Sequence, residues 1–76
     1  MQKYTITEKD IKYGTHLFNN LFRFELQTPF KHKTGSIVNV EFDTQGYSGI
    51  VLYRNRQGNL IEISFREEYL LCNNTH

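Results

Sequence analysis

The side chains of this sequence that could do chemistry are few, and their spacing does not assemble them. Histidines stand at positions 16, 32 and 76, the single cysteine at 72, and a carboxylate pair at Glu67-Glu68. A nucleophile needs a base within hydrogen-bond reach, and acid/base catalysis needs two titratable groups converging on one point. Glu67 and Glu68 are adjacent, so in extended backbone they point to opposite faces. His16 fits a solvated helix face, and Cys72 lies in the apolar run Tyr69-Leu70-Leu71-Cys72, where a thiol serves as a small core residue. No His, Cys, Asp or Glu spacing matches a metal site, and no glycine-rich phosphate loop is present. The expectation is a protein that is not an enzyme, with no catalytic residue, cofactor or metal.

Basic residues form the stronger pattern. Lys31-His32-Lys33 and Arg54-Asn55-Arg56 are two short cationic clusters, with Tyr53 before the second and Leu60 after it. A guanidinium offers bidentate hydrogen bonds to a carboxylate or phosphate, and a tyrosine beside it offers stacking and apolar area. If the fold gathers them, Lys31, His32, Lys33, Tyr53, Arg54, Arg56 and Leu60 make a partner-binding surface. If it does not, they are the ordinary charged loops of a soluble domain. Nine Lys and Arg against eight Asp and Glu leave the chain at +1, a balance that disfavours bulk duplex nucleic acid and leaves room for a local basic patch.

Gathering depends on the elements that carry these clusters. Residues 37–43, 47–54 and 60–66 are rich in β-branched and aromatic side chains and read as an antiparallel meander. Asp43-Thr44-Gln45-Gly46 and Asn55-Arg56-Gln57-Gly58 separate the runs, each with an Asx residue to cap a turn and a glycine for positive φ. Pairing Asp43 with Tyr47, and Arg54 with Asn59, keeps one face apolar: Val38, Val40, Phe42, Ile50, Leu52, Ile61, Ile63 and Phe65. The other face then carries Ile37, Val51, Tyr53 and Leu60, a second apolar cluster that is either covered or a two-fold homodimer interface. This register puts the Lys31-His32-Lys33 loop and the Arg54-Asn55-Arg56 turn at one end of the sheet, and Asp43, Glu67 and Glu68 at the other.

Upstream, Thr7 is a candidate N-cap followed by Glu8 and Asp10. Ile11, Gly14, Thr15, Leu17, Phe18, Leu21 and Phe22 then fall on one side at helical spacing, predicting an amphipathic helix over about 8–20. Gly14 within it costs about 1 kcal/mol relative to Ala. From Phe22 the period drops to two, predicting a strand over 22–27. A turn at Glu67-Glu68 and a last strand over 69–72 complete the set, and Tyr4 to Ile6 form a short extended piece.

The expected fold is therefore α+β and mostly β, a single domain over 1–76 with an N-terminal amphipathic helix and five antiparallel strands. In strand order, residues 22–72 resemble the SH3-like small barrels, with a strongly curved sheet carrying a helix as the competing architecture. The resemblance is one of topology. The acidic loop and the aromatic proline-binding motifs of true SH3 domains are missing, so their ligand preference is not implied.

A single cysteine precludes an intrachain disulfide and suits a reducing compartment. The N-terminus has no apolar run of signal-peptide length and no stretch is long enough to span a membrane, so a cytoplasmic location without membrane contact is expected. The acceptor pattern Asn73-Asn74-Thr75 is read as chance in that setting. Together these features point to a small regulatory binding module, an adaptor or inhibitor whose partner is a protein. A nucleic-acid binder using the same basic end is the alternative, and the homodimer the second.

Overall fold

The structure, a computed structural model, describes residues 3–66. They form one six-stranded sheet: β1 (Lys3–Thr7), β2 (Ile11–Phe18), β3 (Leu21–Leu26), β4 (Ile37–Phe42), β5 (Gln45–Arg54) and β6 (Leu60–Phe65), in the order β1-β4-β5-β6-β3-β2. The sheet is mixed, since β1 runs parallel to β4 while every other pair is antiparallel. This overturns the expected α+β arrangement of a helix and five antiparallel strands, and with it the SH3-like small barrel, since the six strands form one open mixed sheet. The expected last strand at 69–72 and the turn at Glu67-Glu68 lie outside the described residues.

The helix expected over 8–20 is one turn of 3₁₀ helix, Glu8–Asp10, followed directly by β2. Thr7 does begin it, but through Asp10, whose Oδ2 accepts from the Thr7 backbone N–H (3.0 Å) and hydroxyl (3.1 Å). Beyond that turn six of the eight residues, Ile11, Tyr13, Gly14, Thr15, His16 and Phe18, are weak helix formers, and only Lys12 and Leu17 favour a helix. Leu21 and Phe22, which complete the helical stripe, belong to the next strand. Asn19-Asn20 make the tight turn between them, with Asn19 at φ 50°, a conformation asparagine tolerates.

A sheet in this order cannot be flat. Five strand-to-strand steps put β1 and β2 about 24 Å apart in a flat sheet. The four residue steps from Thr7 to Ile11 reach at most about 14 Å. The sheet therefore curls around its own concave face, where Ile6, Phe24, Leu26, Val38, Val40, Val51, Ile61, Ile63 and Phe65 are buried. Phe30, from the loop after β3, joins them. Phe24 and Phe65 meet edge to face at 6.1 Å, as do Tyr47 and Phe65 at 6.4 Å.

β3 to β6 lie within two residues of their expected bounds, but the pairing of β5 differs. Phe42 pairs with Gln45 around a two-residue turn in which Asp43 takes φ 55°, so Val40 faces Tyr47 and Val38 faces Gly49. The slip from the expected register is three residues, an odd number, and it exchanges the faces of β5. Val51 is fully buried, while Leu52, expected in the core, is 56% exposed. Gly46 does not take the positive φ expected of it. Gly49 explains why the core accepts this register: a Cβ there would lie 2.5 Å from Ile63 Cγ2 and 2.8 Å from the Ser64 carbonyl oxygen. A bulge at Leu52 then sets Arg54 opposite Ile61 and Tyr53 opposite Glu62. Among the described residues no helix is long and apolar enough to cross a membrane.

Candidate functional site

The loop from β3 to β4 is built onto the turn between β5 and β6. Phe30 anchors it, with its ring in the core, its N–H donating to the Gly58 carbonyl (2.8 Å), and its carbonyl accepting from Arg54 Nε (2.7 Å). Gly58 stands at φ 81°, and a Cβ there would overlap the Phe30 carbonyl oxygen, so no other residue fits without displacing the loop. Further on, the Gly35 N–H donates to the Val51 carbonyl (2.7 Å) and the Val51 N–H to that of Ser36 (3.0 Å). These two bonds stitch the loop's end to β5. Ser36 closes the loop on itself, its hydroxyl donating to the Lys33 carbonyl at 2.6 Å.

The turn that receives the loop is also internally fixed. Asn55 Oδ1 accepts from the backbone N–H groups of Gly58 (2.8 Å) and Leu60 (3.2 Å), and Asn55 Nδ2 donates to Asn59 Oδ1 (2.8 Å). Here the Asx cap and the positive-φ glycine stand where the sequence places them.

Lys31, His32, Lys33 and Arg56 are thus exposed on two segments that are fastened together. The other residues expected at this site have different places. Arg54 is half-buried, and its guanidinium donates to three carbonyls: that of Phe30 through Nε, and those of Asn55 (3.2 Å) and Arg56 (3.3 Å) through one terminal nitrogen. It clasps the loop to the turn. Tyr53, 43% exposed, lies at the bulge opposite Glu62, and Leu60 is half-buried opposite Glu25. The apolar cluster of Ile37, Val51, Tyr53 and Leu60 loses Val51 to the core, and Ile50, paired with Ile37, stands on the outer face instead.

The aromatic component comes from residues the sequence reading passed over. The Tyr4 ring stacks on His32 with centroids 3.5 Å apart and planes 14° from parallel, and Phe30 meets both rings edge-on, at 6.4 Å and 5.3 Å. Tyr4, Ile6, Asp10, Leu26, Phe30 and His32 are among the residues lining a pocket of about 390 Å³ beside this stack. The carboxylate of Asp10 is already engaged by Thr7. Tyr4 reaches the site because β1 pairs parallel with β4, an arrangement no local sequence signal announces. Phe30 does carry one, being the single large apolar residue between Pro29 and Gly35.

Of the histidines, His16 lies in the β2–β3 hairpin and not on a helix. Its Nε2 is 2.7 Å from the Asn19 carbonyl and its ring 4.8 Å from that of Phe22. Glu8, from the 3₁₀ turn, accepts the Asp43 N–H at 2.6 Å. Among the described residues no three His, Cys, Asp or Glu side chains are grouped as metal ligands. Cys72, His76, Glu67 and Glu68 lie outside the described residues. No family model, no curated protein and no solved structure matches this chain.

Proposed function

We propose that this protein is a small binding module of the cytoplasm, an adaptor or inhibitor that occupies an acidic patch on a protein partner. The observation that carries the reading is the double fastening of Phe30 to Gly58 and Arg54. It ties the loop that carries Lys31, His32 and Lys33 to the turn that carries Arg56, with the Tyr4–His32 stack as an aromatic shelf. A preorganised loop gives up less conformational entropy on binding than a free one, so a few cations can suffice.

The test is affinity capture from a lysate of the source cell, comparing the native chain with a Lys31→Glu, Arg56→Glu double variant. Neither side chain supports the fold, so the circular dichroism spectrum should be unchanged while the captured protein is lost. Equal capture by the variant removes this surface. Aromatic shelves beside cations also serve single-stranded nucleic acid. Oligonucleotide binding that weakens linearly in log–log terms as salt rises would replace the protein partner with that class.

A further inference from the structure

The six strands curl but do not close. Among the described residues β1 has a strand beside it on one side only, β4. Along its other side runs a cleft, the pocket of about 390 Å³ whose second wall comes from residues 26–32. Its floor is core, since Ile6, Leu26 and Phe30 are each 5% exposed. Its rim is polar, with Thr5, Thr28 and Lys31 exposed.

The backbone of β1 belongs to that cleft. In an extended strand the N–H and C=O of one residue point to the same side, and those of the next residue to the other. On β5 the Val51 groups bond toward β4, at Gly35 and Ser36, so those of Gly49 face the same way. Gly49 pairs with Val38, which turns Val38 toward β5 and its neighbour Asn39 toward β1. Asn39 stands opposite Thr5, and a parallel ladder then runs through the residues on either side of Thr5. The N–H and carbonyl of Thr5 therefore face the cleft. Two residues on, the Thr7 N–H points the same way and is taken by Asp10.

We infer that the cleft seats an extended acidic segment of the protein partner, whose backbone adds to β1 at Thr5 and whose aromatic side chain enters the pocket. The inference rests on the acidic partner proposed above and specifies how it is held. A strand edge along one wall calls for extended backbone, in which main-chain bonds give affinity and alternate side chains enter pockets. The apolar floor, with the His32 ring stacked on Tyr4 and Phe30 edge-on to it, suits an aromatic ring. A volume of about 390 Å³ lies at the small end of ligand pockets and holds one such side chain with its backbone, not a folded element. Charge then selects the neighbours of that ring. Lys31 lines the cleft exposed and Lys33 follows on the same loop, while the carboxylate of Asp10 is already engaged by Thr7. Alternation divides the segment accordingly, with the ring turned in toward Phe30 and the flanking carboxylates turned out toward the lysines.

Nuclear magnetic resonance titration of the isotope-labelled full chain tests this. The probe is a blocked pentapeptide with phenylalanine at its centre and two glutamates on each side. The expected result is saturable movement of the Thr5, Phe30 and His32 amides. Three altered peptides should each bind at least about fivefold more weakly: one with alanine at the centre, one with lysines for the glutamates, and one with its three central nitrogens methylated. Equal binding by the alanine or the methylated peptide, lost in Lys31→Glu, leaves the basic surface standing and overturns the cleft. Equal binding by the lysine peptide overturns the acidic segment. A hexathymidylate that moves these amides while the pentapeptide moves none replaces the segment with single-stranded nucleic acid. If neither probe moves them the inference falls, whereas the basic surface falls only with unchanged capture by the Lys31→Glu, Arg56→Glu variant.

Discussion

At the scale of single residues, the tightest constraints in this molecule are glycines and carbonyl clasps, not ion pairs. Gly49 sits between β4 and β6 where a methyl group has no room. Gly49→Ala should therefore cost about 1–3 kcal/mol, as overpacked cores do, read as a lower urea midpoint with an unchanged slope. The Arg23–Glu62 pair makes two hydrogen bonds, at 2.9 and 3.1 Å, yet the arginine side chain is about half exposed. Arg23→Gln should cost less than about 1 kcal/mol, the usual worth of a solvated pair. If the ion pair proved the more costly loss, the close packing of β5 on β6 would not be what fixes the register. That packing was also the feature hardest to read. A glycine among valines and isoleucines looks wasted on a core face, so a register that turns Ile50 and Leu52 inward scores better on apolar content than the one adopted.

At the scale of elements, the four strands from β3 to β6 are legible because period-two alternation is local. β2 is not, because its side chains satisfy two periods at once. Ile11, Thr15, Phe18 and Phe22 fit a helical stripe, but the stripe crosses the Asn19-Asn20 turn, and an asparagine pair between apolar runs is itself a hairpin signal. Gly14 separates the alternatives by the sign of one measurement. In a helix Gly14→Ala would stabilise by about 1 kcal/mol. In the hairpin, the Cβ would stand 2.9 Å from two carbons of the buried Phe24 ring, which covers the glycine from the neighbouring strand. Thermal unfolding of Gly14→Ala should accordingly show a lower midpoint, and a raised one would restore the helix. The candidate site divides along the same line. Its cations and the Asn55 turn are local features and could be named from sequence. The partnership of Tyr4 with His32 depends on a parallel strand pair 34 residues apart in chain order, and the loss of Arg54 to three carbonyls depends on where Phe30 lands.

At the scale of the whole molecule, a single curled sheet has one core, and the basic loop closes part of it. Phe30 is 5% exposed and is the loop's only contribution to that core, so folding and the presentation of Lys31, His32 and Lys33 are linked through one side chain. A domain of this size lies toward the low end of the ~5–15 kcal/mol range of native stabilities. Phe30→Ala, at about 3–5 kcal/mol, should leave little folded protein. Phe30→Leu keeps an apolar plug and leaves a smaller void than Ala, and its effect should be local. The amides of Gly35 and Val51, which bond across the loop's end to β5, should exchange with solvent faster. Those of Ile61 and Ile63, in the centre of the sheet, should slow or quicken only with global stability. Uniform acceleration across all four amides would mean that the loop does not open independently, and that the cationic surface is as rigid as the sheet beneath it.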